Sequence, residues 1–394
     1  LFDANGDNFK DLVVVSGGNE FKKGAPLQPK LYINYKGKFK RDTVQFKNTE
    51  TNASKVSAID IDNDGDMDIS ILSNMVPWQF GKTPTQYIFE NDGQGKFKDV
   101  TLNFGIDFKE SGNVTDIVWV DLNEDNFLDA IVVGYWMPIK VFMNDGKKLT
   151  LQKITQLQKT NGWWNSIKAN DFDKDGDIDF IVGNWGLNTR LKATPNEPIT
   201  LYSNDFDDNG TIDPVITHFY QKQETPFASK DELVKQIPFL NKKYLSYKDF
   251  ANASFTDLLP KEKIYEAYKK QIFELGSCYF ENLGNTTFKK HQLPFMAQIS
   301  SVNDIAIDDY NNDGFMDVFL VGNNYNINTQ LGKLDASHGI ILLNNKIGFF
   351  DESLDQDFNI SGEARNIQKL LINNEMFYVI SINNDVPIFI KLHK

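Results

Sequence analysis

The chain has one cysteine, Cys278, and four histidines among 394 residues. A single thiol excludes an intramolecular disulfide framework, and its neighbours Ser277 and Tyr279 give no sign of an activated nucleophile, so a buried structural thiol is expected. The histidines, His218, His291, His338 and His393, are scattered. No Ser/His/Asp order, G-x-x-x-x-G-K-[ST], H-E-x-x-H or C-x-x-C occurs, so the common catalytic and phosphate-binding signatures are missing. Basic charge is also short: 41 Lys and Arg stand against 54 Asp and Glu, a formal net charge of -13. Nucleic-acid binding therefore lacks its electrostatic footprint. No apolar run reaches the ~18 residues that a membrane-spanning helix needs, so no transmembrane segment is expected in this chain.

What is present is one motif repeated six times. The pattern D-x-[DN]-x-[DN]-[GN]-x-x-D starts at Asp3, Asp60, Asp121, Asp171, Asp205 and Asp309, and each copy runs into an apolar segment. In the copy DIDNDGDMD, Asp60, Asp62, Asp64 and Asp68 supply side-chain oxygens at positions 1, 3, 5 and 9, and Asp66 offers its backbone carbonyl at position 7. Hard, oxygen-only ligands suit calcium. Gly65 at position 6 permits the bend that folds the carboxylates onto one point, and Asn8 and Asn126, tolerant of left-handed geometry, replace it in two copies. The same reading gives ligand sets Asp3, Asn5, Asp7, Phe9 and Asp11; Asp121, Asn123, Asp125, Phe127 and Asp129; Asp171, Asp173, Asp175, Asp177 and Asp179; Asp205, Asp207, Asn209, Thr211 and Asp213; and Asp309, Asn311, Asp313, Phe315 and Asp317. Up to six Ca2+ ions are expected. An EF-hand would need a bidentate Glu at position 12 and flanking helices. Position 12 here is Val14, Ile71, Val132, Val182, Ile216 or Leu320, each inside a strand-like run. The loops hold nearly half of the acidic residues, and six calcium ions would bring the charge to -13 + 12 = -1. Net charge therefore implies no basic partner.

Loop starts recur about every 50 residues, a period that points to propellers or arrays, with one short interval before Asp205 and one long interval after it. Alternating residues before most loops, the apolar run after each, and turns such as Asn91-Asp-Gly and Asn144-Asp-Gly describe a four-stranded antiparallel blade. Six units and a metal-free tail predict an all-β fold, a seven-bladed β-propeller; six blades is the alternative if Ile199 to Ser203 serves two blades. The whole of 1–394 reads as one calcium-binding propeller, an N-terminally incomplete fragment of a longer chain, with residues 363–394 as the closing blade. Residues 229–275 read as a helical insertion within one blade, with a capping box at Ser229, a second N-cap at Ser254 and a helix from Lys261 to Leu275.

These loops and hairpins resemble the FG-GAP or VCBS repeats of integrin α-chain propellers and of large bacterial surface proteins related to cartilage acidic protein. The segments from Gly183 to Asn188, Tyr247 to Asn252 and Leu293 to Gln298 are similar to that bacterial group. The resemblance implies a calcium-bound propeller that is secreted or surface-anchored, with the bacterial outer membrane as the expected location. Calcium sites of the weak affinity typical of extracellular modules agree with a place outside the cytosol.

With loop oxygens committed to coordination, carboxylate pairs such as Asp62 and Asp64 are poor general acids or bases, so the loops act as structural staples and no enzyme is expected. A second ring of positions, after the second strand of each blade, carries Asn19, Trp78, Trp136, Trp185, Asn188 and Tyr325. Aromatics beside Asn donors suit a sugar or a peptide, and they equally suit blade packing. The favoured function is an extracellular binding or scaffold module for protein or glycan in a cell-surface assembly. The alternative is a polysaccharide-active, lyase-like enzyme using the aromatic face.

Overall fold

The structure is a computed structural model and describes residues 1–328, 330–353 and 358–392, so His393 and the last residue of the expected closing blade lie outside the described residues. The described strands form seven antiparallel sheets with a few short helices, the organisation of a β-propeller-like repeat fold.

The sheet around Asp60 shows how the sequence makes a unit. Strands Ala53–Ile59, Asp68–Ser73, Tyr87–Asn91 and Phe97–Asp99 pair in chain order. Every residue of Asp68–Ser73 is buried. Ile69 and Ile71 join Val13, Leu31 and Phe89 on one face, while Leu72 joins Ile88, Val114 and Val132 on the other. A strand covered on both faces reads as a continuous apolar run, which is why the segment after each loop carries no polar alternation.

This two-faced packing continues along the chain. Ile131 and Val133 of the Asp121 sheet meet Phe180 and Val182 of the Asp171 sheet. Ile181 then meets Val318 and Leu320 of the Asp309 sheet, whose Phe319 and Val321 meet Ile367 and Ile380 of the C-terminal sheet. First strands are also tied one to the next: Ser54 Oγ donates to Val114 O at 2.6 Å, Thr115 Oγ1 to Trp164 O at 2.7 Å, Asn165 Nδ2 to Val302 O at 3.1 Å and Asn303 Nδ2 to Ala364 O at 2.8 Å. Backbone crosses the end of the second strand so closely that a Cβ on Gly322 would lie 1.6 Å from Ser301 O, and one on Gly134 2.1 Å from Asn113 O.

The Asp205 sheet stands apart from this series. Its strands Ile199–Asn204, Asp213–Tyr220, Gln223–Pro226 and Tyr268–Ile272 fall between Asp179–Gly183 and Cys278–Asn282, which pair with each other through Phe180 and Phe280. The short interval from Asp171 to Asp205 is thus an insertion inside one sheet, and Ile199 to Ser203 is not shared between two sheets. Five short helices, from Lys230–Gln236 to Lys261–Glu266, pack on Tyr202 and Val215 of the inserted sheet. Ser229 and Ser254 each form a capping box. The helix expected from Lys261 to Leu275 ends at Glu266, and Tyr268–Ile272 is a strand in which Lys270 and Ile272 are buried and Tyr268, Lys269 and Gln271 exposed. Apolar residues four apart satisfy periods of two and 3.6 alike, and pairing with Ile199–Asn204 decides for the strand.

Among the described residues, no helix is long and apolar enough to cross a membrane.

Candidate metal centres and aromatic face

Each loop is closed by its own carboxylates before any ion is considered. The Asp60 carboxylate accepts from the amides of Asp64 and Gly65, at 3.1 and 3.0 Å, and Asp64 accepts from the Asp66 amide at 3.1 Å. Position 6 is left-handed, with φ of 95° at Gly65, 68° at Asn8 and 71° at Asn126, so Asn does there what Gly does elsewhere.

The ninth residue is the most buried carboxylate of the loop: Asp11, Asp129, Asp179 and Asp317 are 0% exposed and Asp68 1%. One oxygen accepts from the amide at position 2, as from Ile61 to Asp68 at 3.1 Å. In five loops its other oxygen accepts from the backbone amide of an Asn at or next to the end of the strand before the hairpin: Asn34 to Asp11, Asn91 to Asp68, Asn144 to Asp129, Asn282 to Asp179 and Asn344 to Asp317, all at 2.7–2.8 Å. Three of these Asn side chains also reach the neighbouring sheet's loop, donating to Ala4 O, Ile61 O and Phe172 O. The Asn residues are structural parts of the site that motif reading missed. Their signal was present, since an Asn shortly before a hairpin turn recurs at Asn34, Asn91, Asn144, Asn282 and Asn344.

Three loops gather three carboxylates whose oxygens lie within 4.8 Å of one another: Asp60, Asp62 and Asp68; Asp171, Asp173 and Asp179; Asp205, Asp207 and Asp213. Each triad can hold a metal ion. The polar atoms fit one, because Asp62, Asp66, Asp171 and Asp207 each bury an Oδ1 without a hydrogen-bond partner, a costly state for a carboxylate lacking a cation. Burial, with the charges of neighbouring loop carboxylates, pushes Asp66 up to about 6. Burial likewise pushes Asp68 and Asp179 up to about 7, against the pull of the amides that they accept. In the remaining loops, position 3 is an amide that donates to position 5, from Asn5 to Asp7 at 3.3 Å, Asn123 to Asp125 at 2.9 Å and Asn311 to Asp313 at 3.2 Å. At position 7, Phe9, Phe127, Asp177 and Phe315 donate their backbone amides to the position-5 carboxylate, and Thr211 donates its own to the side-chain oxygen of Asn209.

The aromatic positions separate into two groups. Trp136, Trp163 and Trp185 form a ladder with ring centroids 5.3 and 5.1 Å apart, covered by Ile199, Leu201, Phe227 and Ile272, mostly from the inserted sheet. Trp136 is 7% exposed. Trp78, by contrast, is 63% exposed and is held by Asn19, which accepts from the Trp78 amide at 2.8 Å and from Nε1 at 2.9 Å. Asn188 donates to Ile299 O at 3.1 Å and lines a separate cavity of about 540 Å³ with Phe295 and Gln298. Tyr325 donates its amide to Glu363, with Lys333 Nζ 4.8 Å from its ring centroid.

Sheets packed face to face in series, most of them with an Asp-rich loop before a fully buried strand, give a β-propeller-like repeat fold. The repeat is FG-GAP-like where the model of that repeat family matches, over residues 3–71 and 121–182, which hold four of the six loops. No curated protein matches. Among solved structures, the chain is similar to an Agrocybe aegerita lectin that recognises non-reducing terminal N-acetylglucosamine, at 12% identity and TM-score 0.45, covering 99% of this chain and 79% of that one. It is also similar to the V. cholerae biofilm matrix protein Bap1, at 11% identity and TM-score 0.30, covering 97% of this chain and 83% of that one.

Proposed function

We propose that the chain is an extracellular, calcium-stabilised β-propeller that serves as a non-enzymatic binding and scaffold module for protein or glycan at a cell surface, in bacteria the outer membrane. The observation that carries the calcium reading is the set of Asp triads with buried, unpartnered carboxylate oxygens in a repeated loop. Oxygen-only ligands select a hard cation, and calcium tolerates the variation from four carboxylates to three at positions 1, 3, 5 and 9 among copies. Each ion would hold the turn between the first two strands of its sheet.

Our reading of the ring places six sheets around it, joined in series by apolar clusters and first-strand hydrogen bonds, with the Asp205 sheet as an inserted lobe. That favours six ring blades in this chain over seven. Electron-microscopy averages viewed down the ring axis count them directly.

Calorimetric titration of the metal-free protein with calcium tests the central claim. Three or more sites are expected, and an absence of binding up to about 10 mM, beyond the weakest extracellular modules, would overturn it. New chain ends after incubation with a panel of polysaccharides would overturn the non-enzymatic part and favour the lyase-like alternative.

A further inference from the structure

Beside the exposed Trp78 lies a groove between residues 74–86 and the inserted sheet. It consists of two adjoining cavities of about 750 and 470 Å³ that share Thr83, Glu110 and Tyr268. Exposed rings line it: Trp78 at 63%, Phe80 at 51% and Tyr268 at 53%. Hydroxyls stand among them, with Thr83 Oγ1 3.5 Å from Tyr268 OH.

The floor carries positive charge in a chain whose net charge is -13. Lys270 is 9% exposed, and its ammonium donates to Asn113 Oδ1 and, at 3.1 Å, to Thr83 Oγ1. Lys140 lines the same cavity. Among the described residues, neither lysine makes an ion pair, although exposed lysines elsewhere in the chain do. Burial and the neighbouring Lys140 pull Lys270 down to about 8, as expected of a cation without an anion beside it. Lys269 lines the cavity too, but its ammonium lies 5.2 Å from the Tyr202 ring centroid. Glu110 is the one carboxylate of the lining and is exposed where the cavities meet. A buried cation without an ion-pair partner, as Lys270 is, costs stability unless an anion completes it.

We propose that this groove binds an acidic saccharide, with Lys270 and Lys140 meeting its carboxylate or sulfate and the exposed rings of Trp78, Phe80 and Tyr268 stacking on its sugar faces. The proposal rests on the glycan reading above and names its chemical class. Flat rings interleaved with hydroxyls suit sugars better than an acidic peptide, which offers charge without a repeated ring face.

The test is calorimetric titration of the calcium-loaded protein with trigalacturonate, a heparin tetrasaccharide, chitotriose and hexaglutamate. Binding of one acidic saccharide is expected, trigalacturonate reporting a carboxylate and heparin a sulfate, with chitotriose and hexaglutamate weaker. Lys270→Met should lower that affinity roughly tenfold or more, the scale of one charged hydrogen bond. Its melting temperature should hold or rise, because a buried cation is removed; a purely structural lysine would lower it. If Lys270→Met does not fold, the less buried Lys140→Gln carries the same comparison. Unchanged affinity in the folded variant, or hexaglutamate binding as tightly as the saccharides, overturns the proposal. Chitotriose bound without the acidic sugars overturns it but leaves the glycan reading, whereas no saccharide bound at all removes both.

Discussion

The Asp171 and Asp121 loops trace the same backbone turn and differ at position 3, where one has Asp173 and the other Asn123. In the Asn loop the amide donates to Asp125 at 2.9 Å, so the turn satisfies part of its own charge. In the Asp loop Asp171 keeps a buried oxygen without a partner, and three carboxylates crowd within 4.8 Å. One backbone design therefore carries two electrostatic classes. Both rest on the same ninth-position Asp, which bridges position 2 and the hairpin Asn whatever occupies position 3.

Removing calcium should separate the classes most sharply. If the three triads are each held at 100-fold their dissociation constant, chelation removes about 2.7 kcal/mol per loop, or roughly 8 kcal/mol in all. Melting with and without chelator reads this, and an unchanged midpoint would make the loops ornamental. Hydrogen exchange should then rise first at the Asp60, Asp171 and Asp205 loops, and protection lost equally at the Asn loops would erase the distinction.

The second largest effect should ignore the distinction. Asp129→Ala leaves the amides of Leu122 and Asn144 without acceptors in a buried site, about 2–4 kcal/mol. Urea unfolding should show that loss with or without calcium. A cost that appears only in calcium would mean that Asp129 acts as a ligand rather than as a backbone brace.

Exchanging position 3 should move affinity by about tenfold, near 1.4 kcal/mol, because ligand charge tunes calcium sites. Asp173→Asn should weaken one site and Asn123→Asp should create a fourth triad. Native mass spectrometry along a calcium titration counts the ions, and several ions lost together from Asp173→Asn would contradict independent loops.

The smallest effect belongs to Lys346, 58% exposed and 3.5 Å from Asp313 in the Asp309 loop. Lys346→Gln should alter stability by no more than about 0.5 kcal/mol, as for exposed pairs. It should still tighten calcium at that loop by removing a competing cation, whereas unchanged affinity would show that the ammonium does not compete.

Much of the repeat was legible because it is local. Loop position and apolar run predicted the strands Asp68–Ser73, Asp179–Gly183 and Asp317–Gly322, and left-handed Asn8 and Asn126 followed from their place in the motif. The hairpin Asn residues were legible in principle, as a five-fold repeat that draws no notice until their amides are seen on the buried Asp. The strand Tyr268–Ile272 was misread because its apolar spacing suits helix and strand alike.

By itself the sequence determined the six loops, their oxygen chemistry and the two-faced strands, since ligand spacing and burial pattern are properties of nine or ten consecutive residues. Only the tertiary structure decided that the Asp205 sheet is an insertion, because Phe180 pairs with Phe280 across the intervening residues, a contact that no local pattern encodes. It also decided the fates of the tryptophans. Trp136 and Trp185 are packed against the inserted sheet, while Trp78 stays exposed above a groove whose two lysines come from strands far apart in the chain. Burial depends on what long-range packing brings to each side chain, and residues with the same local sequence neighbourhood can meet either an apolar wall or water.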